Sequence, residues 1–241
     1  MKCFPFAGAI GVGVAVAAVA VWSSSPVMAG GSDWKVGYAT PSVPGTLSFG
    51  SADPGSGVAT FPFTLKPNTS LLVTTHGEFK GSLLGDLKGK TITATFDISD
   101  ATGAFTYFGE GTPDNPCGTP ASVRLFFQTD NGGGFAFTHY WWSNPESRML
   151  ANGRWTLTAT VQPGEWSDWN GQPGATQVPG FLDAASNVTM VGLSFGGGCF
   201  FENGVGTSDG SCRFTLTASR WTEPKQKNWC PQQDSNLWPS V

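Results

Sequence analysis

Charged residues are scarce in this sequence. They make up only 12% of its 241 residues, with 13 Lys and Arg against 17 Asp and Glu. The lysines and arginines form no cluster, and a net charge of −4 does not favour contact with a phosphate backbone. The 33 glycines and frequent Ser and Thr are typical of an extracellular β-protein. The composition therefore predicts no nucleic-acid partner.

Residues for nucleophilic catalysis are also few. The sequence has two histidines, His76 and His139, and lacks a Gly-x-Ser-x-Gly elbow. A Ser-His-Asp arrangement needs a histidine beside a nucleophile and an orienting carboxylate. His76 lies in a "THG" surface turn and His139 in an aromatic strand, so we expect a non-catalytic protein. A glycosidase would need two facing carboxyl groups, and no spacing pairs the candidates. These candidates are Glu78, Glu110, Glu146, Glu165 and Glu202.

The sequence contains only one long apolar run, at residues 7–22. Lys2 precedes it and the small residues "VMA" follow it, a pattern that predicts a cleaved secretory signal over residues 1–29. The alternative is a membrane anchor, but the run is rich in Gly and Ala and shorter than the roughly 20 residues a spanning helix needs. We expect the mature chain to be secreted, extracellular or periplasmic, without a membrane span.

The composition changes again near the other end. Residues 222–241 include "WCPQQDSNLWPSV", which resembles the short spurious peptides that arise when a reading frame runs through a transfer-RNA gene. A disordered natural tail is the alternative. Residues 30–221 then remain as one domain, a length that can bury a full core.

Three cysteines lie in the predicted domain: Cys117, Cys199 and Cys212. None has the C-x-x-C spacing that zinc sites favour. In an exported protein a disulfide is expected instead. The sequence leaves the pairing open, with Cys199 bonded to Cys117 or to Cys212.

Strand patterns dominate the domain. In "KTITATFDIS", Ile92, Ala94, Phe96 and Ile98 share one face and threonines the other. The segments "SVRLFFQT", "GRWTLTATVQP", "MVGLSFGGG" and "RFTLTASRW" alternate in the same way. In "VATFPFTL", Pro62 predicts an edge strand, and only "PGFLDAASN" resembles a helical turn. The pattern predicts an all-β fold, an antiparallel β-sandwich or jelly roll.

The order of these segments resembles the galactose-binding-type jelly roll. "SDWKVGY" is followed by "EFKGSLLGDLKGKTITATFDIS", then "GRWTLTATVQPGEWSDWNG", "FLDAASNVTMVGLSF" and "CRFTLTASRW", as in that family. Many carbohydrate-binding modules and the laminin IV domain share this fold. The chain also resembles a group of secreted bacterial proteins, which implies no activity. The resemblance implies a carbohydrate-binding β-sandwich.

The stretch "FAFTHYWWS" places three large rings side by side. Neighbours in a strand point to opposite faces. If Trp141 faces the core, Tyr140 and Trp142 face outward unless a second layer covers them, and the reverse arrangement is equally consistent with the alternation. Outward rings that cluster indicate a binding surface.

A second aromatic segment, "EWSDWNG", is loop-like in composition and offers rings and polar groups together. Sugars bind by stacking their C–H faces on rings while carboxylates and amides accept hydroxyl hydrogen bonds. We therefore expect Trp166, Asp168 and Trp169 to join Tyr140 and Trp142 in a ligand-binding site. The alternative is that these tryptophans belong to the core.

The glycine-rich run "FGGGCFFENGVG" lies between two strands rather than before a helix, which argues against a phosphate loop. Its glycines allow sharp turns or close approach of a ligand or another loop. Phe200 and Phe201 line a pocket or, as we favour, staple the loop beside a disulfide.

Calcium is the one metal with sequence support. Jelly rolls of this type often carry a structural Ca²⁺ held by Asp carboxylates and loop carbonyls. Asp97 and Asp100 in "DISDATG", and Asp130 in "TDNGGG", are candidate ligands. Turn formation explains these residues equally well, and no cofactor is required.

The sequence therefore predicts a secreted, non-catalytic domain that binds carbohydrate or a glycan surface. A structural or protein-interaction domain of the cell envelope is the alternative, in which the rings would be core or meet a protein. A small secreted hydrolase is the third hypothesis.

Overall fold

A computed structural model describes residues 33–39, 47–52, 59–75, 83–130 and 134–222. The predicted signal at residues 1–29 and residues 223–241 of the predicted tail lie outside the described residues, as do His76 and Glu78.

The described residues form fourteen β-strands and one α-helix, α1. The strands are β1 Trp34–Ala39, β2 Leu47–Ser51, β3 Ala59–Pro62, β4 Thr69–Thr74, β5 Thr91–Ser99, β6 Phe105–Tyr107, β7 Ser122–Gln128, β8 Tyr140–Ser143, β9 Arg148–Met149, β10 Gly153–Thr160, β11 Trp166–Asp168, β12 Met190–Gly196, β13 Val205–Thr207 and β14 Arg213–Thr222, and the helix is Val178–Ser186.

The strands form two antiparallel sheets that pack into a sandwich. The larger sheet has ten strands, with the main order β11-β8-β7-β12-β4-β1-β2, and the smaller has the order β10-β5-β14-β3. This confirms the expected all-β antiparallel β-sandwich. Strand β3, which ends at Pro62, lies at the edge of the smaller sheet, as its proline predicted.

The main core lies between the sheets and is built from the inward face of each alternating strand. Phe214 of β14 contacts four other rings, with centroid distances of 4.9 Å to Phe96, 5.1 Å to Phe61, 5.3 Å to Phe195 and 6.2 Å to Phe63. Each of these rings is buried, and burying one phenylalanine side chain stabilises a fold by about 1.5–3 kcal/mol. The alternation in the sequence therefore specifies this core.

Helix α1 closes one end of the core. Pro179 lies in its first turn, where the missing N–H costs nothing. Phe181 is buried and meets the Trp141 ring edge-on at 5.0 Å. No helix in the described part of the chain has the length and apolar character needed to cross a membrane.

The outer face of the smaller sheet carries the predicted threonines. The hydroxyl groups of Thr93 and Thr158 lie 3.2 Å apart, and those of Thr95 and Thr156 lie 3.1 Å apart. These pairs join β5 to β10 across the exposed surface.

The outer face of the larger sheet differs, because it carries a second hydrophobic cluster. Leu71 and Val73 of β4, Phe126 of β7 and Trp142 of β8 are buried there, outside the main core. A second layer of loops covers this cluster, and that layer forms the candidate site.

A disulfide fixes part of the second layer. Cys117 and Cys199, which are 82 positions apart in the sequence, are bonded, while Cys212 is a buried free cysteine. Of the two pairings that the sequence left open, the structure has Cys117–Cys199.

Candidate functional site

The three rings of "HYWW" divide between the two faces of the larger sheet. Trp141 lies in the main core and its indole Nε1 donates to the carbonyl oxygen of Thr138 at 2.7 Å. Tyr140 and Trp142 lie on the outer face, in the second cluster. Of the two arrangements that alternation allowed, the structure therefore has the one with Trp141 in the core.

Trp142 faces outward but is only 2% exposed, because the second layer covers it. Its Nε1 donates to the Ser194 hydroxyl at 2.9 Å, and that hydroxyl donates to the Phe201 carbonyl oxygen at 2.5 Å. Phe126 and Phe201 pack against its ring at centroid distances of 5.2 and 6.1 Å. Trp142 is thus a fixed floor of the site rather than an open stacking surface.

The structure places Trp166 in the main core, where it is 1% exposed. Its ring meets that of Phe127 at 4.8 Å, and its Nε1 donates to the Thr160 carbonyl oxygen at 2.7 Å. A ring enclosed in this way cannot stack on a ligand, so the prediction that Trp166 is a site residue is wrong. Its segment is the edge strand β11, paired with β8, and not the loop that its polar neighbours suggested.

Asp168 is buried and shapes the turn that carries Trp169. Its Oδ1 accepts hydrogen bonds from the backbone N–H groups of Asn170 and Gln172, both at 2.9 Å. Gly171 completes the turn at a φ of 72°, a left-handed conformation that suits glycine. Asp168 therefore positions Trp169 through the backbone.

Trp169 projects from this turn and is 39% exposed. Its ring lies 5.3 Å from Tyr140, 5.4 Å from Phe135 and 5.7 Å from Trp142, measured between ring centroids. Phe137 extends the cluster, 5.3 Å from Phe135. Of the predicted rings, Tyr140, Trp142 and Trp169 therefore converge on one place.

Phe135 is the most exposed ring of this cluster, at 59%, and sequence reasoning did not single it out. It begins the same stretch "FAFTHYWWS" that drew attention to Tyr140. The chain turns between them through a 3₁₀ segment, Phe137–His139, which brings the Phe135 and Tyr140 rings within 5.5 Å. Phe135 and Tyr140 are five positions apart in the sequence, and this short separation was the signal from which their proximity could have been predicted.

The ring cluster of Phe135, Tyr140 and Trp169 forms one wall of the site, and the loop at residues 197–203 forms the other. The Cys117–Cys199 disulfide fixes it at one side, and the backbone N–H of Cys199 donates to Asn115 Oδ1 at 2.7 Å. At the other side Asn203 Nδ2 donates to the Phe108 carbonyl oxygen at 2.7 Å. Both ends of this loop are therefore bonded to the segment of residues 108–117, which is distant in the sequence.

The two phenylalanines of this wall have different roles. Phe201 packs on Trp142, and the Arg124 guanidinium lies 4.2 Å from its ring centroid. Phe200 is 53% exposed and lines the space between the walls. Both rings line the pocket, and Phe201 in addition acts as a staple between the wall and the sheet.

Between the walls lie two adjoining cavities, of about 740 and 540 Å³, which share Leu47, Trp169 and Glu202. We call them together the aromatic groove. Their volumes fall in the range of small-molecule sites, which are mostly apolar with a few polar groups. The ring-lined part of the groove contains Phe49, Phe135, Tyr140, Trp142, Trp169 and Phe200.

Two polar groups in the aromatic groove lack partners. Glu202 is partly buried as a residue, and its Oε2 atom is fully buried without a hydrogen bond. Asn115 is 4% exposed, and its Nδ2 is likewise buried without a partner. Leaving such a group unsatisfied costs about 1–3 kcal/mol. The groove therefore holds one acceptor and one donor that a ligand could satisfy.

Burial raises the pKa of Glu202 from an ordinary 4.5 to about 8. The native state favours the protonated acid, so this group's contribution to stability is complete below pH 4.5 and is lost as the pH rises toward 8. Burial, together with the charges of Glu202 and Asp130, also raises the pKa of Tyr140. Asp114 lines the groove as well.

The predicted calcium ligands do not converge. The Asp97 carboxylate lies 3.8 Å from Arg154 Nε, and Asp100 adopts a φ of 61° at a turn. Within the described ranges, no three or more His, Cys, Asp and Glu residues form a group that could hold a metal ion. A site built on Asp97, Asp100 or Asp130 remains a prediction.

Comparisons with known proteins give one distant match. No protein-family model and no curated protein matches the chain. Among solved structures, the chain is similar to the xylan-binding module CBM15, with 13% sequence identity and a TM-score of 0.37. The match covers 80% of this chain and 99% of that one. A likeness at this level says nothing about the ligand of this protein.

Proposed function

We propose that this protein is a secreted, non-catalytic carbohydrate-binding domain whose ligand occupies the aromatic groove. The observation that carries the proposal is the convergence of exposed rings with unpartnered polar groups in one concave site. Trp169, Phe135 and Tyr140 offer ring surfaces, and Glu202 and Asn115 offer the acceptor and the donor. Pyranose rings need this combination, because they have apolar C–H faces and hydroxyl edges. The predicted export places the domain where polysaccharides occur.

A protein-interaction domain of the cell envelope is the first alternative. Protein interfaces are mostly broad surfaces with an apolar centre. The aromatic groove is concave, and its rings lie along two walls and a floor. Its shape favours a ligand that enters it, such as a glycan chain.

A glycoside hydrolase is the second candidate, and one observation favours it. Asp114 and Glu202 line the same cavity, and the pKa of Glu202 is raised to about 8. Glycosidases use two carboxyl groups, one of which is often a buried acid. Release of reducing ends from a bound polysaccharide would identify this activity, and our proposal predicts none.

Replacing Trp169 with alanine should weaken glycan binding about thirtyfold, because removing a central tryptophan typically costs at least ~2 kcal/mol. Trp169 is 39% exposed and is held on a surface turn, so the variant should fold normally. Affinity electrophoresis against soluble xylan, mixed-linkage β-glucan and galactomannan would measure the loss.

Leu182→Ala is the matched control. Leu182 lies on α1, is 42% exposed and does not line the aromatic groove. It should bind each polysaccharide like the wild type. If neither the wild type nor Leu182→Ala is retarded by any polysaccharide while both proteins melt cooperatively, the carbohydrate proposal is wrong.

A further inference from the structure

We infer that the aromatic groove selects uncharged glycans over anionic ones and that Glu202, as a neutral carboxylic acid, binds one of their hydroxyl groups. This inference rests on the proposed function and adds the ligand class and the residue that determines it.

The position of Glu202 is the first argument. It is one of three residues shared by the two cavities of the groove, so a chain that runs along the groove passes it. Its Oε2 is buried and unpartnered, although the rest of its loop is well hydrogen-bonded. A ligand hydroxyl would satisfy this oxygen.

The chemistry of a neutral acid suits a sugar. A protonated carboxyl group donates one hydrogen bond and accepts others, and a sugar hydroxyl does the same. Asn115 Nδ2 adds a donor in the larger cavity. The groove thus presents both kinds of group to a hydroxyl-rich ligand.

The charges around Glu202 disfavour an anionic glycan. Asp114 and Tyr140 line the groove, and Asp130 acts on Tyr140. The lining residues that the structure describes include no lysine or arginine. The nearest cation beneath the wall is Arg124, which is 8% exposed and donates to the Ser143 carbonyl oxygen. A uronate or sulfate would therefore enter a site without an accessible positive charge.

Binding should consequently depend on pH. The raised pKa of about 8 keeps Glu202 protonated at pH 6. At pH 9, one unit above that pKa, about a tenth of the molecules keep the proton. A ligand that covers the groove would have to enclose the charge of the ionised form, which is costly. Affinity should therefore fall as the pH rises through 8.

The test is calorimetric titration of the full chain with xylohexaose and cellohexaose at pH 6 and pH 9. For whichever hexaose binds, we expect about tenfold weaker binding at pH 9. Glu202→Gln, which stays neutral, should bind like the wild type at pH 6 and equally well at pH 9. Glu202→Ala should bind about tenfold more weakly at pH 6.

Two control variants and one charged probe complete the experiment. Glu146→Gln, outside the groove, and Asp114→Asn, within it, should keep the pH dependence of the wild type. A galacturonate hexamer should bind more weakly than the neutral hexaose at pH 6, because the described lining of the groove holds carboxyl groups and no accessible cation.

The outcomes separate the two proposals. If Trp169-dependent binding persists but Glu202→Gln keeps the wild-type pH profile, the role of Glu202 is wrong and the proposed function stands. Tighter binding of the galacturonate hexamer than of the neutral hexaose overturns the selectivity against anionic glycans. If none of the three oligosaccharides binds, both proposals fail.

Discussion

Replacing Trp142 with alanine is expected to lower the free energy of unfolding by about 3–5 kcal/mol, the usual cost of deleting a buried large ring. Trp142 is 2% exposed, packs against Phe126 and Phe201, and donates to Ser194. The substitution would leave a cavity under the second layer and remove the hydrogen bond to the Ser194 hydroxyl, the group that links the sheet to the Phe201 carbonyl oxygen of the wall. For a domain of this size the melting temperature should fall by about 10 °C or more.

Trp169→Ala is the matched comparison, because both tryptophans line the aromatic groove. Its ring is 39% exposed, so we expect only a small change in melting temperature. Calorimetric melting of both variants tests the difference. Equal stability of Trp142→Ala and the wild type would show that Trp142 is not packed as the structure has it.

Removal of the Cys117–Cys199 disulfide should have the second large effect on stability. A disulfide that closes a long loop typically contributes about 2–4 kcal/mol, and these cysteines are 82 positions apart. Replacing both with serine should therefore lower the urea midpoint of unfolding. Because Cys199 lies in the wall of the aromatic groove, glycan affinity should fall as well.

Chemical reduction is a second way to remove the Cys117–Cys199 disulfide. Dithiothreitol should lower the stability of the wild type and leave the double serine variant unchanged. Cys212→Ala, which removes the buried free thiol, should respond to reductant like the wild type. A wild-type urea midpoint that reductant does not move would contradict a stabilising role for this disulfide.

The alternating pattern of the sequence was sufficient to predict the sandwich and the division of the β8 rings between two faces. It required Trp141 to face one way and Tyr140 and Trp142 the other, and the structure has Trp141 in the core, which the alternation alone left open. Alternation says which face a side chain takes, but not whether another layer covers that face. The burial of Trp142 depends on Phe201, 59 positions away, and so could not be read from its own strand.

The error at Trp166 has a related cause. Polar neighbours in "EWSDWNG" indicated a loop, whereas residues Trp166–Asp168 form an edge strand that pairs with β8. Short strands of three residues give too little alternation to be recognised. The importance of Glu202 was also hidden, because its burial arises from a wall fixed by a distant disulfide and by Asn203.

The most direct test of the central claim is an NMR titration of the ¹⁵N-labelled protein with xylohexaose, cellohexaose and mannohexaose, observing the backbone amide and the indole N–H signals. If the aromatic groove binds glycan, at least one hexaose should shift the Trp169 signal, while the signals of Trp34 in the core and Trp155 on β10 stay in place. Saturable shifts confined to the threonine face of β5 and β10, with Trp169 unchanged, would place the ligand on the opposite side of the molecule and contradict the account.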